Sequence, residues 1–313
     1  MDYKTLGRTG LRVSRMGLGC GGHSRLGQST GRSEEESIAV VREAIHLGVN
    51  FIDTAEAYRT ESIVGRSIRD LARDELVLST KVHAKDDDRL SSAAEFRSRV
   101  LAGLERLAVD YVDILHVHGL SSQDYGYVKT ELVPVLQKLQ SEGRVRFIGV
   151  TEAFAPDPTH RMLTMAAGDE FWDVIMVGFN ILNQSARERV FPWTIEKRVG
   201  TLGMFAVRRA LSNPDRLREL IRELVDAGSL KASDFDLADP LGFLVAPGVA
   251  QTVTEAAYRF CLWEPGMDVV LSGTGNVEHL RENARFLSSP PLPTEITEKL
   301  RRLFSGIDTI SGN

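Results

Sequence analysis

Cysteine is scarce in this chain: two among 313 residues, Cys20 and Cys261, far apart in sequence. No disulfide framework or zinc-type spacing follows from such a pair, and a reducing compartment fits it. Long apolar runs are absent too. No stretch approaches the ~18 residues of a membrane span, and the opening MDYKTLGRTG holds no apolar signal core. Nor is there a block of one charge sign. Lys and Arg number 38 against 43 Asp and Glu, a formal net charge of −5, which argues against nucleic acid as a partner. No low-complexity segment and no 20–50-residue repeat stands out beyond the alternation described next. These absences predict a soluble, cytoplasmic protein with no nucleic-acid partner and no membrane association.

What is present is an ordinary globular composition, 42% hydrophobic and 26% charged, arranged as an alternation of strands and helices. Tyr3 to Leu6 and Leu11 to Ser14 flank Gly7-Arg8-Thr9-Gly10 and predict a β-hairpin. Met16 to Gly22 reads as a strand running into a glycine-rich loop. Ser33 caps a helix with acids in its first turn, and Gly48 ends it. Further strands are predicted at Phe51–Asp53, Leu76–Val82, Val112–His118, Phe147–Thr151, Val174–Phe179, Leu202–Val207 and Val269–Ser272. Helices fall between or after them at 61–70, 92–107, 132–142, 159–167, 184–199, 212–227, 252–263, 277–286 and 295–304. After the hairpin there are eight short strands rich in Val and Ile, as buried parallel strands are. The pattern predicts one (β/α)8 TIM barrel with an N-terminal β-hairpin, a single domain over residues 1–313. A doubly wound sheet would need G-x-G-x-x-G after its first strand, and Gly17, Gly19, Gly21 and Gly22 do not fit that spacing. The longest irregular stretch, 228–249, reads equally as a substrate cover or a surface insertion.

Sites in such barrels lie at the C-terminal ends of the strands. There the sequence offers Asp53 with Tyr58 five residues on, then Lys81, then His116 and His118, from three consecutive strands. Each type has a plainer reading: an Asp after a strand is often a turn former, and a Tyr is often packing. Lys81 is harder to dismiss, because a lysine directly after Leu-Val-Leu-Ser-Thr on a buried strand needs a partner or a task. His116 and His118, on one strand face, would suit a metal, but strands six and seven bring no further ligands. His118 is therefore the candidate for catalysis, with His116 hydrogen-bonded one layer deeper. Together Asp53, Tyr58, Lys81 and His118 suit carbonyl reduction. Lys81 lowers the phenol pKa, Asp53 keeps the lysine charged, and His118 directs the carbonyl oxygen. Hydride itself requires a nicotinamide, since no side chain supplies one.

With these residues in place the chain resembles the aldo-keto reductases along nearly its whole length, from KTLGRTGLRVSRMGLG through NFIDTAEAY, STKV, YVDILHVH and GRVRFIGVT to VLSGTGNVEHLREN. The resemblance implies an NAD(P)-dependent oxidoreductase with NADP as its default cofactor, NAD as the variant, and an aldehyde, ketone or sugar carbonyl (or the alcohol) as substrate. It implies that Asp53, Tyr58, Lys81 and His118 are the catalytic tetrad. For the cofactor it points to Gly19 and Cys20 after the first strand and to the Gly273-Thr274-Gly275 turn. It places His279 at the 2′-phosphate and Glu282-Asn283 at the adenine. Around the nicotinamide the familiar types are replaced: Thr151-Glu152 stands for Ser-Asn, Met176 for a Gln, and Val207 for a stacking aromatic. Glu152 is expected to accept from the carboxamide, and Arg208 to meet the pyrophosphate. Two other readings remain: a redox-neutral epimerase or lyase that retains its NAD(P), and a non-catalytic, cofactor-sensing barrel subunit.

Overall fold

The computed structural model describes residues 1–313. At its centre eight parallel strands close into a barrel. They are β1 (Met16–Gly19), β2 (Phe51–Asp53), β3 (Val77–His83), β4 (Val112–Leu120), β5 (Val145–Glu152), β6 (Val174–Gly178), β7 (Gly200–Met204) and β8 (Val269–Ser272). Each pairs with the next in sequence, and β8 returns to β1. This is the predicted (β/α)8 architecture. The principal helices are α1 (Glu34–His46), α2 (Glu61–Ile68), α3 (Ala93–Leu107), α4 (Val133–Ser141), α5 (Arg161–Ala166), α6 (Phe191–Lys197), α7 (Pro214–Asp226), α8 (Val253–Leu262), α9 (Val277–Phe286) and α10 (Thr294–Phe304). No helix is long and apolar enough to cross a membrane.

Alternation along the strands divides the molecule into two cores. One side chain in two faces the helices and joins a cluster of 72 buried residues. The others face inward. At the N-terminal end this inner face is apolar: Phe51, Val77, Ile114, Val174, Met176, Leu202 and Val269 pack with Leu6, Leu11 and Val13. The last three come from the hairpin, in which Tyr3–Thr5 pairs with Arg12–Ser14. The hairpin is thus the plug of the barrel floor, and each large side chain buried there contributes about 1.5–3 kcal/mol. Toward the C-terminal end the same inward positions become Asp53, Ser79, Lys81 and His116, all buried. The change from apolar floor to polar mouth is what positions the site.

Local signals set the helix starts. Ser33 forms a reciprocal capping box with Glu36, and Ser92 with Glu95. Some boundaries differ from the sequence reading. β7 spans Gly200–Met204 rather than Leu202–Val207, because Phe205 has φ 67°, which no strand continues. The helix expected over 184–199 is two, Ala186–Arg189 and Phe191–Lys197, since Pro192 lacks the N–H a continuous helix would use. The 228–249 stretch packs Leu230, Leu241 and Leu244 into the outer core. Its Phe235 meets Phe304 of α10 at 5.7 Å, and Lys299 of α10 lies over Phe243. These contacts make it a wrapping of the barrel wall.

Candidate active site

The register of β1 to β4 lines up the polar residues. Gly19 sits opposite Asp53, Asp53 opposite Ser79, Lys81 opposite His116, and His83 opposite His118. Lys81 Nζ donates to Asp53 Oδ2 at 2.6 Å and to the Thr54 carbonyl at 2.7 Å. Ser79 Oγ donates to Asp53 Oδ1 at 2.9 Å. The lysine side chain is 0% exposed and the aspartate 3%, a burial tolerated only because each charge meets the other and hydrogen bonds occupy the remaining sites.

Tyr58 lies on the 3₁₀ turn Glu56–Tyr58 beyond β2. Its ring centroid is 4.8 Å from Lys81 Nζ, and its hydroxyl is 3.4 Å from His118 Nε2. Gly21 makes room for that ring, since a Cβ there would come within 2.4 Å of Cε2. The Glu56–Tyr58 turn is fixed from outside. Arg99 of α3 donates from Nε and Nη2 to the Glu56 carboxylate at 2.5–3.1 Å. Its Nη1 donates to the carbonyls of His83 and Lys85 and to Ser91 Oγ, each at 3.1 Å. One guanidinium therefore joins the Tyr58 turn to the end of β3.

Burial pushes the Tyr58 phenol above its usual pKa, against the pull of Lys81. Lys81 acts in the expected direction and lowers the phenol, but the desolvation outweighs it. Burial drives Lys81 down, but Asp53 and then Tyr58 hold it above the usual lysine value. Burial likewise raises Asp53, and Lys81 draws it back. His116 and His118 are held well below the imidazole range, first by burial and next by the Lys81 charge. Both are neutral at neutral pH. His116 lies one layer deeper, as read from the sequence. Of the hydrogen bond expected for it there is only an approach to the Val150 backbone, and neither ring nitrogen has a partner in good geometry. Gly149 accommodates it, because a Cβ there would fall 2.2 Å from its Nδ1. No group of three or more His, Cys, Asp or Glu side chains is arranged to hold a metal ion.

The residues expected around a cofactor are less convergent. Glu152 continues the outward face of Ile148 and Val150. Its carboxylate is bonded to His160 Nδ1 at 2.9 Å and to the Gly178 N–H at 2.7 Å. It is occupied, contrary to the expectation that it would accept from a carboxamide. Thr151 Oγ1 accepts from the Gly119 N–H at 2.7 Å. Met176 belongs to the inner core, level with Thr151. Val207 packs on the outer core, so the aromatic after β7 is Phe205. Phe205 stacks on Phe154 at 5.9 Å, and Phe154 on His160 at 5.3 Å. Arg208 lies over Phe205, its Cζ 3.9 Å from the ring centroid; its Nε is buried without a partner. Of the β1 residues, Cys20 is fully buried with its N–H on the Asp53 carbonyl, and burial raises its thiol.

At the far side of the mouth the Gly273-Thr274-Gly275 turn leads into α9. Asn276 Oδ1 caps the helix, accepting from the N–H groups of Glu278 and His279. Gly273 backs onto the Gly19 carbonyl, and Gly275 onto Gly27. His279 and Glu282 are exposed. Asn283 donates to Ser272 Oγ at 3.0 Å, a tie to β8 that the sequence did not announce. Arg281 is held by Glu43 Oε1 and Glu278 Oε1, both at 2.7 Å.

A family model described as the aldo/keto reductase family matches residues 16–304. The chain belongs to the aldo/keto reductase family. Among curated aldo/keto reductase relatives, the L-galactose dehydrogenase of Arabidopsis thaliana is 29% identical over 293 residues, covering 90% of this chain and 87% of that protein. The NADH-specific methylglyoxal reductase of Escherichia coli is 32% identical over 208 residues, 60% of this chain and 61% of its own. Among solved structures, an aldo-keto reductase from Klebsiella pneumoniae in complex with NADPH superposes with a TM-score of 0.71 at 24% identity, covering 98% of this chain and 97% of that one. At that identity the likeness is one of fold. For this aldo/keto reductase, sequence reasoning found the buried Asp–Lys pair, the phenol and the facing histidine. It missed His83, Arg99, Glu56, Phe154 and Phe205. Period-two alternation from Lys81 would have put His83 on the inner face; nothing local marks Arg99 or Phe154.

Proposed function

We propose that the protein reduces a carbonyl substrate with NADPH or NADH, and oxidises the alcohol in reverse, with Tyr58 as the proton donor. One observation carries this reading: the Tyr58 hydroxyl lies 3.4 Å from Nε2 of the neutral His118, and its ring lies against the ammonium of the buried Lys81–Asp53 pair, with Nζ 4.8 Å from the ring centroid. His118 Nδ1 is buried without a partner. An unpartnered lone pair there is less costly than an unpartnered N–H, so the proton belongs on Nε2, the nitrogen facing Tyr58. That Nε2–H then orients the substrate oxygen. Tyr58, protonated at neutral pH, delivers its proton as charge develops on that oxygen, and Lys81 stabilises the phenolate left behind. Asp53 touches no reacting atom; it keeps Lys81 charged.

The residues fit a dinucleotide at two of its three parts. The Gly273–Gly275 turn at the positive end of α9 presents backbone N–H groups suited to phosphate, while those of Glu278 and His279 are taken by the Asn276 cap. Arg208, stacked and without a carboxylate, suits the pyrophosphate. The amide end relies on Thr151 and Phe205, because Glu152 is engaged with His160. When bound, the dinucleotide supplies the hydride; the acid and the orientation come from this chain. The Klebsiella pneumoniae NADPH complex and the NADH-specific Escherichia coli reductase support either form. Tyr58→Phe tests the reading. Reduction should fall at least about a thousandfold while dinucleotide binding stays within about twofold, since the acid is lost and no phosphate contact is. Undiminished turnover would remove Tyr58 from its role.

A further inference from the structure

His83 is absent from the roles assigned above. It is the last residue of β3, on the inner face two positions beyond Lys81. Its ring stacks on that of His118, with centroids 4.2 Å apart and planes at 17°. Its Nδ1 lies 2.9 Å from the His118 carbonyl oxygen. A carbonyl oxygen only accepts, so Nδ1 must carry the proton. Burial also lowers the His83 pKa, which keeps the ring neutral. A neutral ring protonated on Nδ1 presents a lone pair, and only a lone pair, at Nε2. That nitrogen has no partner in the protein, and the ring is half-buried at the barrel mouth. His118 offers the opposite: a donor toward the reacting oxygen.

We propose that His83 is a specificity-determining residue. Its Nε2 accepts a hydrogen bond from a hydroxyl next to the substrate carbonyl while His118 donates to the carbonyl oxygen. Two stacked imidazoles, one donor and one acceptor, thus read an α-hydroxy carbonyl: the C=O at one ring and the O–H at the other. The inference rests on the reading of Tyr58 and His118 as the carbonyl-binding pair. Two oxygens on neighbouring carbons lie somewhat closer than the 4.2 Å between ring centroids and meet both rings through hydrogen bonds that converge on them.

Glycolaldehyde and propanal test this directly, because they differ by a hydroxyl in place of a methyl. With the preferred dinucleotide, the glycolaldehyde-to-propanal ratio of kcat/KM should be about tenfold higher in the wild-type protein than in one lacking the His83 acceptor, the worth of one well-formed hydrogen bond. His83→Phe should lower that ratio about tenfold. His83→Gln, whose amide oxygen can accept, should restore part of it. The ratio cancels any loss common to both aldehydes, so a displaced His118 cannot imitate the effect. A ratio that His83→Phe leaves unmoved overturns the role of His83 while leaving carbonyl reduction in place. Reduction of neither aldehyde with either NADPH or NADH overturns the carbonyl-reductase reading, and the His83 proposal falls with it.

Discussion

At the scale of the residue, the site is governed by desolvation. Lys81 keeps its charge in the barrel because Asp53 is 2.6 Å away. His118 and His116 lose theirs because they are buried beside that lysine. Tyr58 keeps its proton because burial outweighs the ammonium. The signs give a pH profile. A raised phenol stays protonated through neutral pH and a depressed imidazole stays neutral, so reduction should be flat from about pH 6 to about pH 9. It should decline only at alkaline pH, as the proton on Tyr58 is lost. On the proposed mechanism alcohol oxidation uses the phenolate and should instead rise with pH. Measuring kcat/KM in both directions checks this; an inflection near about pH 6.5 in reduction would show that His118 titrates as an ordinary histidine.

At the scale of the element, the Tyr58 turn is a short 3₁₀ segment whose position depends on α3. Arg99 clamps Glu56 and the β3 end together, with side chains 20% and 24% exposed. Loosening the clamp should displace the phenol without unfolding a barrel held by its two cores. Glu56→Gln and Arg99→Lys should each lower kcat about ten- to a hundredfold, as small misplacements of a reacting group do. The lysine fails because it lacks the planar fork. Arg89→Lys, in an exposed pair with Glu95, should leave kcat unchanged. Steady-state rates with one aldehyde decide it. The same scale explains what the sequence made legible. Strands and helices repeat with periods of 2 and 3.6, and Lys81 stands out because a buried apolar strand ends on a charge. The Arg99 clamp joins residues 43 positions apart, and nothing in either neighbourhood encodes it. β7 was misplaced for a related reason: Phe205-Ala206-Val207 is as apolar as a strand, and only the positive φ of Phe205 ends it. That shift put Val207 where the sequence led us to expect an aromatic, two residues past Phe205.

At the scale of the molecule, a bound dinucleotide would stretch from α9 to Tyr58 across the barrel mouth, and the charges around α9 then select its form. A 2′-phosphate requires a free cation near the first turns of that helix. Arg281 is not free: Glu43 of α1 and Glu278 both hold it, which also ties α1 to α9. Arg285 faces Glu282 at 3.9 Å. His279 is exposed and unpaired but short. The first turns of α9 therefore offer a 2′-phosphate little, and NADH should compete well with NADPH. Installing a cation should reverse this. His279→Arg should raise the NADPH-to-NADH ratio of kcat/KM about tenfold or more, the worth of a charge-assisted hydrogen bond to phosphate. Glu43→Gln, which releases one of the two holds on Arg281, should move the ratio the same way by less. Both shifts should shrink as salt is added, because the helix face is exposed and its charges are screened. A ratio unmoved by His279→Arg would place the 2′-phosphate elsewhere on the molecule, and with it the adenine end of the site.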